Sequence, residues 1–152
     1  MPWPMRGEAQ TGNGEIFRVV LDTNVYYSAL YDPESFLHVL FAAGVQEKKY
    51  RIIVSPFIIH ELHTKLMEKF LWEEARALGV IKQIVHAAEL VKPDTVPQVI
   101  TDDVSDNHIL ACALAGKANL IVSGDRHLLQ LKEYEGIPIV RPRDFLRTLG
   151  RE

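Results

Sequence analysis

The run IFRVVLDTNV, Ile16 to Val25, falls into two halves of opposite chemistry. Ile16, Phe17, Val19, Val20 and Leu21 make an apolar, largely β-branched stretch with no two-residue alternation. That pattern predicts a strand buried on both faces, hence the centre of a parallel sheet. The stretch stops at Asp22, with Thr23 and Asn24 behind it. A carboxylate at the exit of a buried strand is costly unless something cationic meets it. Ligands of open α/β sheets sit in the crevice beyond the carboxyl ends of the strands, which makes Asp22 the first candidate functional residue. The structural alternative is a helix N-cap ahead of Val25 to Leu30.

NLIVS, Asn119 to Ser123, repeats the arrangement: an apolar strand, then Gly124-Asp125. Two buried strands that each finish in an aspartate make chance placement less persuasive, although Asp125 also suits a Gly-Asp turn. Between them the periodicity changes. Phe36, Leu37, Leu40, Phe41 and Val45 recur at helical spacing within Glu34 to Val45. RIIVS, Arg51 to Ser55, reads as a second strand, and Ser55-Pro56 as the start of a helix with Ile58, Leu62 and Leu66 on one stripe. Leu71 to Val91 reads as one or two further helices broken at Gly79, and Val91 to Thr101, with Pro93 and Pro97, as a loop with at most a short edge strand. Ile109, Leu110, Ala113 and Leu114 mark a helix closed by Gly116. A short helix through Leu131, a last strand Gly136 to Val140 whose Pro138 favours a sheet edge, and a helix Pro142 to Leu149 complete the chain. Strands alternating with amphipathic helices predict a three-layer α/β/α sandwich, Rossmann-like, with a mainly parallel central sheet.

Right-handed crossovers bring the strand exits to one sheet edge. Asp22 and Asp125 leave from that edge. Asp102, Asp103 and Asp106 crowd the start of the fifth expected helix, where the macrodipole favours acids at about 0.3–1 kcal/mol each. Three acids within five positions exceed what one helix end needs, and Asp106 is the candidate among them. Glu61 flanks the buried stripe of its helix near the helix start, pointing over the sheet edge; the alternative is a solvent pair with Lys65 at i,i+4. Four converging carboxylates repel and resist simultaneous ionisation. A hard divalent cation, Mg²⁺ or Mn²⁺, resolves that repulsion with oxygen ligands and commonly binds substrate phosphates as well. Such a site suits phosphodiester hydrolysis. Asn24 and Ser123, each two residues from an aspartate, are placed to orient a carboxylate or a water by hydrogen bonds.

Composition sets the outer limits. The 152 residues suffice for one domain with a substantial core. A net charge of −3 carries no signature of strong non-specific nucleic-acid binding and counts mildly against a simple DNA-binding role. Cys112, the single cysteine, lies in an apolar run and reads as a small core residue in a reducing interior. The basic run Lys48, Lys49 and Arg51 is either a solvated face or a phosphate contact. HELH at His60 to His63 lacks the i,i+4 histidine pair of a zinc protease, because position 64 is Thr. No stretch is long and apolar enough to span a bilayer. Residues 1–14, MPWPMRGEAQTGNG, have no apolar signal-peptide core and read as a disordered or expression-derived arm. The cytoplasm is the expected location.

LDTNVYYSAL, the Glu of HEL, DVSDNHILACALAG and LIVSGDRHLLQLKEYEGIPIVRPRDFL together resemble the PIN domain family. The resemblance is in particular to the branch supplying the toxin, a VapC-like ribonuclease, of bacterial and archaeal toxin–antitoxin pairs. The resemblance spans nearly all of Ile16 to Leu149 and places a PIN domain at residues 15–149. It implies four catalytic acids at Asp22, Glu61, Asp106 and Asp125, with Asn24 and Ser123 in support and Asp22, Asp106 and Asp125 as metal ligands. It further implies a Mg²⁺- or Mn²⁺-dependent endoribonuclease, a homodimer, an RNA substrate and a small antitoxin that blocks the acidic pocket. DVSDNH stands where a Pro- and Asp-rich turn is expected, which leaves open whether Asp103 joins the metal shell. Two other readings compete. A haloacid-dehalogenase-like phosphatase needs an aspartate where Asn24 stands; a non-catalytic PIN-type module binding RNA or a protein is disfavoured by the complete set of acids. Neither G-x-G-x-x-G nor G-x-x-x-x-G-K-[ST] occurs, so dinucleotide and ATP sites lack support.

Overall fold

The structure, a computed structural model, describes residues 16–150, and the arm expected over residues 1–14 lies outside them. β1 (Arg18–Leu21) leads into α1 (Thr23–Tyr31) and α2 (Phe36–Val45), then β2 (Arg51–Val54), α3 (Pro56–Glu68), α4 (Glu74–Ala87) and β3 (Glu89–Leu90). After a long loop come α5 (Asp106–Ala115), β4 (Leu120–Val122), α6 (Arg126–Leu129), β5 (Glu133–Tyr134), β6 (Ile137–Val140) and α7 (Pro142–Thr148). One sheet orders the strands β3-β2-β1-β4-β6-β5. Every neighbouring pair is parallel except β5 against β6.

The chain steps from β1 outward to β2 and β3, and from β4 outward in the other direction to β6. Right-handed crossovers taken in opposite directions lie on opposite faces. α1 to α4 therefore cover one face and α5 the other, the three-layer, mainly parallel sandwich expected of the sequence. The reversal falls between β1 and β4, so the crevice of this fold opens where those two strands end. Val19, Val20 and Leu21, Ile52, Ile53 and Val54, and Leu120, Ile121 and Val122 are fully buried. Each such side chain contributes roughly 1.5–3 kcal/mol. At the other end of β1 the Arg18 guanidinium makes a two-pronged pair with Glu89 at 2.8 and 3.0 Å and donates to the Gly116 carbonyl. It ties β1 to β3 and to the end of α5. Among the described residues no helix is long and apolar enough to cross a membrane.

Three local expectations need correction. α4 runs unbroken through Gly79, where an added methyl would meet only open space. The edge strand β3 precedes the proline loop instead of lying within it. β6 is not an edge strand, because β5 folds back on it through a turn with positive φ at Glu135 (48°) and Gly136 (84°). Pro138 is tolerated there because its neighbour Ile139 supplies the N–H to Lys132 O at 2.9 Å.

Two glycines distinguish tight from open helix surface. A Cβ on Gly44 would stand 2.6 Å from Tyr50 Cζ. That ring is held by its own bond to Leu40 O at 2.7 Å and by an edge contact with Phe145 at 4.9 Å. Gly44→Ala is expected to cost ~1–3 kcal/mol by overpacking, whereas Gly79→Ala gains ~0.5–1 kcal/mol. Urea unfolding midpoints that move in the same direction for both variants would contradict this packing.

Candidate active site

The parallel ladder continues one residue past its strands. Asp22 N donates to Val122 O at 2.9 Å and Ser123 N to Val140 O at 3.0 Å. Both positions are thereby fixed by backbone before their side chains do anything. Ser123, fully buried, donates through Oγ to Asp22 Oδ2 at 2.7 Å and accepts from Asp125 N at 2.9 Å. One hydroxyl thus joins the exits of β1 and β4. The capping alternatives also hold: Asp22 caps α1 through Asn24 N at 3.4 Å, and Asp125 Oδ1 caps α6 through His127 N at 2.8 Å and Leu128 N at 3.2 Å. Capping uses Oδ1 of each carboxylate and leaves Oδ2 to other partners.

Asp106 opens α5 and is buried, and its Oδ2 has no hydrogen-bond partner. Asp106, Asp125 and His127 turn ligand atoms toward one another within 4.8 Å. His127 falls within the short helix expected through Leu131, and the sequence pattern does not single it out. The signal available was its place two residues after Asp125 on the first turn of α6, where side chains of a short helix crowd its cap. Its Nδ1 lies 3.6 Å from Asp125 Oδ1 and its Nε2 3.5 Å from Asp102 Oδ2. Asp22 stands outside this tight trio, though its charge acts on Asp106. Glu61 is half-buried on α3; its charge reaches Asp22, but it joins no ligand group among the described residues. Asn24 is exposed at the rim and accepts from the Tyr27 hydroxyl through Oδ1. Asp103 spends its Oδ1 on Ser105, N at 3.1 Å and Oγ at 2.6 Å, and stays outside the trio. The histidines of HELH join no ligand cluster among the described residues. Lys48 and Arg51 line a cavity of about 320 Å³ with Arg18 and Tyr50 at the amino end of the sheet, a strand length (~13 Å) from the acids.

The electrostatics are those of carboxylates crowded together and partly withdrawn from water. Burial, and then the charges of Asp125, Asp22 and Asp103, push the Asp106 carboxyl up to about 8. Burial raises Asp22 as well, against the bonds from Ser123 and Asn24, and the charges of Asp125 and Glu61 add to the rise. A hard divalent cation fits this donor set: carboxylate oxygens dominate it, and Asp106 Oδ2 is buried without a hydrogen-bond partner. The His127 nitrogen is a donor that suits transition metals better than Mg²⁺.

A PIN domain family model matches residues 18–127. A sequence relative, the uncharacterized protein MJ1680 of Methanocaldococcus jannaschii, is 31% identical over 124 residues, which is 76% of each chain. Two solved structures are similar in fold. PAE2754 from Pyrobaculum aerophilum gives a TM-score of 0.59 at 14% identity, covering 88% of this chain and 89% of that one. VapBC2 from Rickettsia felis, bound to a DNA fragment from their promoter, gives a TM-score of 0.55 at 15% identity, covering 82% of this chain and 98% of that one.

The raised carboxyls set a pH dependence. Folded Asp106 holds a proton that the unfolded chain releases near pH 4, so its stabilising share is complete at low pH and is lost as pH rises toward about 8. Asp106→Asn mimics the protonated state. In EDTA its melting temperature is expected to match wild type near pH 4 and to exceed it by ~3–6 °C at pH 8.5, about 1–2 kcal/mol. A gap that stays constant across that range would mean that Asp106 is not the group titrating.

Proposed function

The chain belongs to the PIN domain family, and from that premise we propose that it is a divalent-metal-dependent endoribonuclease acting in the cytoplasm as the toxin of a toxin–antitoxin pair. The observation that carries the nuclease reading is the buried Asp106 side chain, its Oδ2 without a geometric hydrogen-bond partner, gathered with Asp125 and His127 into one group of ligand atoms. The catalytic group is Asp22, Glu61, Asp106 and Asp125. Asp22, Asp106 and Asp125 would hold Mg²⁺ or Mn²⁺, with the PIN domain spanning residues 15–149. When bound, the cation supplies charge neutralisation, Lewis acidity toward a phosphate oxygen and a lowered pKa for water.

The residues of the chain do the positioning. Ser123 fixes the rotamer of Asp22 and the backbone of Asp125 with one hydroxyl, so both carboxylates face the crevice without needing to reorganise. Glu61, whose charge reaches Asp22 from outside the ligand trio, would accept a proton from the attacking water. Burial excludes bulk water from Asp106 and strengthens every charge interaction inside the pocket. Asn24 and Tyr27 form the rim past which a strand enters.

The toxin role rests on the resemblance of the LDTN and SGD segments and on the fold shared with VapBC2. It brings two partners: a small antitoxin over the acidic crevice, and a second copy of the chain. A dehalogenase-like phosphatase is not favoured, since Asn24 is engaged with Tyr27 at the rim and offers no acid.

Cleavage of mixed single-stranded RNA with Mn²⁺ or Mg²⁺ tests the nuclease reading. Asp22→Asn and Asp125→Asn are expected to lose more than ~100-fold in rate, and Ser123→Ala ~10–100-fold, the usual cost of removing a ligand's outer partner. Folding of each variant is checked by circular dichroism. Wild-type rates in both Asp→Asn variants, or cleavage that persists in EDTA, would reject the proposal.

A further inference from the structure

Beside the rim of the crevice, α1 and the C-terminal end of α3 gather three rings. The Phe70 centroid lies 5.4 Å from that of Tyr27 and 5.0 Å from that of Tyr31, with the planes tilted by 48° and 39°. Tyr31 is 69% exposed. Two ammonium groups flank the rings: Lys65 Nζ lies 5.6 Å from the Tyr27 centroid, and Lys69 Nζ 5.3 Å from Tyr27 and 5.7 Å from Phe70. Among the described residues neither lysine pairs with a carboxylate, and the i,i+4 pair of Glu61 with Lys65 is not made. The cluster is joined to the acids, because the Tyr27 hydroxyl donates to Asn24 Oδ1 and Asn24 N donates to Asp22.

We propose that the Tyr27, Tyr31 and Phe70 rings, with Lys65 and Lys69, form a stacking subsite for unpaired bases of a single RNA strand whose scissile phosphate lies in the crevice; the inference rests on the nuclease reading above. An acidic crevice in a chain of net charge −3 does not attract a polyanion unaided. Lys48 and Arg51 sit at the other end of the sheet, so they cannot hold the strand near the acids. Lys65 and Lys69 can: Lys65 lies one turn beyond Glu61 on α3 and Lys69 caps the end of that helix, about 6 and 12 Å along the helix axis. Exposed aromatic surface at Tyr31, with two ammonium groups one ring away over Tyr27, offers both partners an unpaired strand needs: a face for a base and cations for its phosphates. In a duplex the base faces are already stacked, so the same surface discriminates against it. A purely apolar protein partner would leave both ammonium groups unanswered, which makes it the weaker occupant.

Binding of a labelled mixed-sequence 12-mer RNA and of a blunt duplex of the same length, followed by fluorescence anisotropy, tests the subsite. Ca²⁺ replaces Mg²⁺, and a gel shows whether the strand stays intact. Tyr31→Leu keeps the apolar bulk but removes the ring; it is expected to weaken single-strand binding by about tenfold and leave the duplex unaffected, while Tyr31→Phe binds as wild type does. Lys65→Gln with Lys69→Gln is expected to reduce the slope of log affinity against log salt by ~1.4, at ~0.7 per phosphate contact. Tyr31 is exposed, so its variants preserve the fold. Wild-type affinity in Tyr31→Leu, with RNA still cleaved, would overturn the subsite and leave the nuclease reading standing. A change in sedimentation instead of RNA affinity would assign the face to a second copy and overturn the subsite too. A wild-type protein that neither binds nor cleaves RNA would overturn both.

Discussion

The bond from Ser123 Oγ to Asp22 Oδ2 is the contact on which the rest of the site depends. It crosses from the end of β4 to the end of β1, two strands that lie side by side only because the sheet reverses direction between them. Without it, Asp22 would be a buried carboxylate with one long bond from Asn24. Because the ladder fixes both backbones first, only the two side-chain rotamers remain to be ordered when the bond forms. Since the same hydroxyl accepts from Asp125 N, the geometry of one acid constrains that of the next. Asp106 then arrives from α5 on the opposite face and meets carboxylates that cannot retreat.

That arrangement is unfavourable when considered as folding alone. Like charges are buried together, and the carboxyls respond by holding protons that surface acids would release. The apolar strands supply the compensation: the residues preceding Asp22 and Ser123 are completely buried, and the sheet they form does not yield to local repulsion. Stability concentrated in the central strands thus offsets the charge repulsion concentrated at their ends. The Arg18–Glu89 pair shows the contrary case at the other end of β1, where an ion pair is satisfied internally and Glu89 is held below the usual carboxylate range chiefly by the Arg18 bond.

Much of this was legible in the sequence. Val19 to Leu21 and Leu120 to Val122 are uninterrupted apolar runs with acids behind them, and burial plus position in an α/β sheet was enough to place Asp22 and Asp125 on one edge. Asp106 was legible by crowding, because a helix start does not need three acids. The two-residue strands β3 and β5 were not: a period cannot be read from two residues, and their pairing is decided by neighbours far away in sequence. Gly79 misled because a glycine signals a break only where the backbone departs from the helix, and here it does not. His127 and the rings around Phe70 were invisible for another reason. Their meaning lies in contacts between elements, α6 with the α5 region and α1 with the end of α3, which no local pattern encodes.

The separation of Asp22 from Ser123, 101 positions along the chain, has a consequence for synthesis. A ribosome releases the polypeptide from its amino end at roughly 5–20 residues per second. β1 emerges early and waits, unflanked on one side, for β4 to arrive. Until β4 and β6 have left the exit tunnel and docked, the acids of the crevice share no common space. The acidic crevice is therefore a late product of folding, assembled only once β4 has docked beside β1.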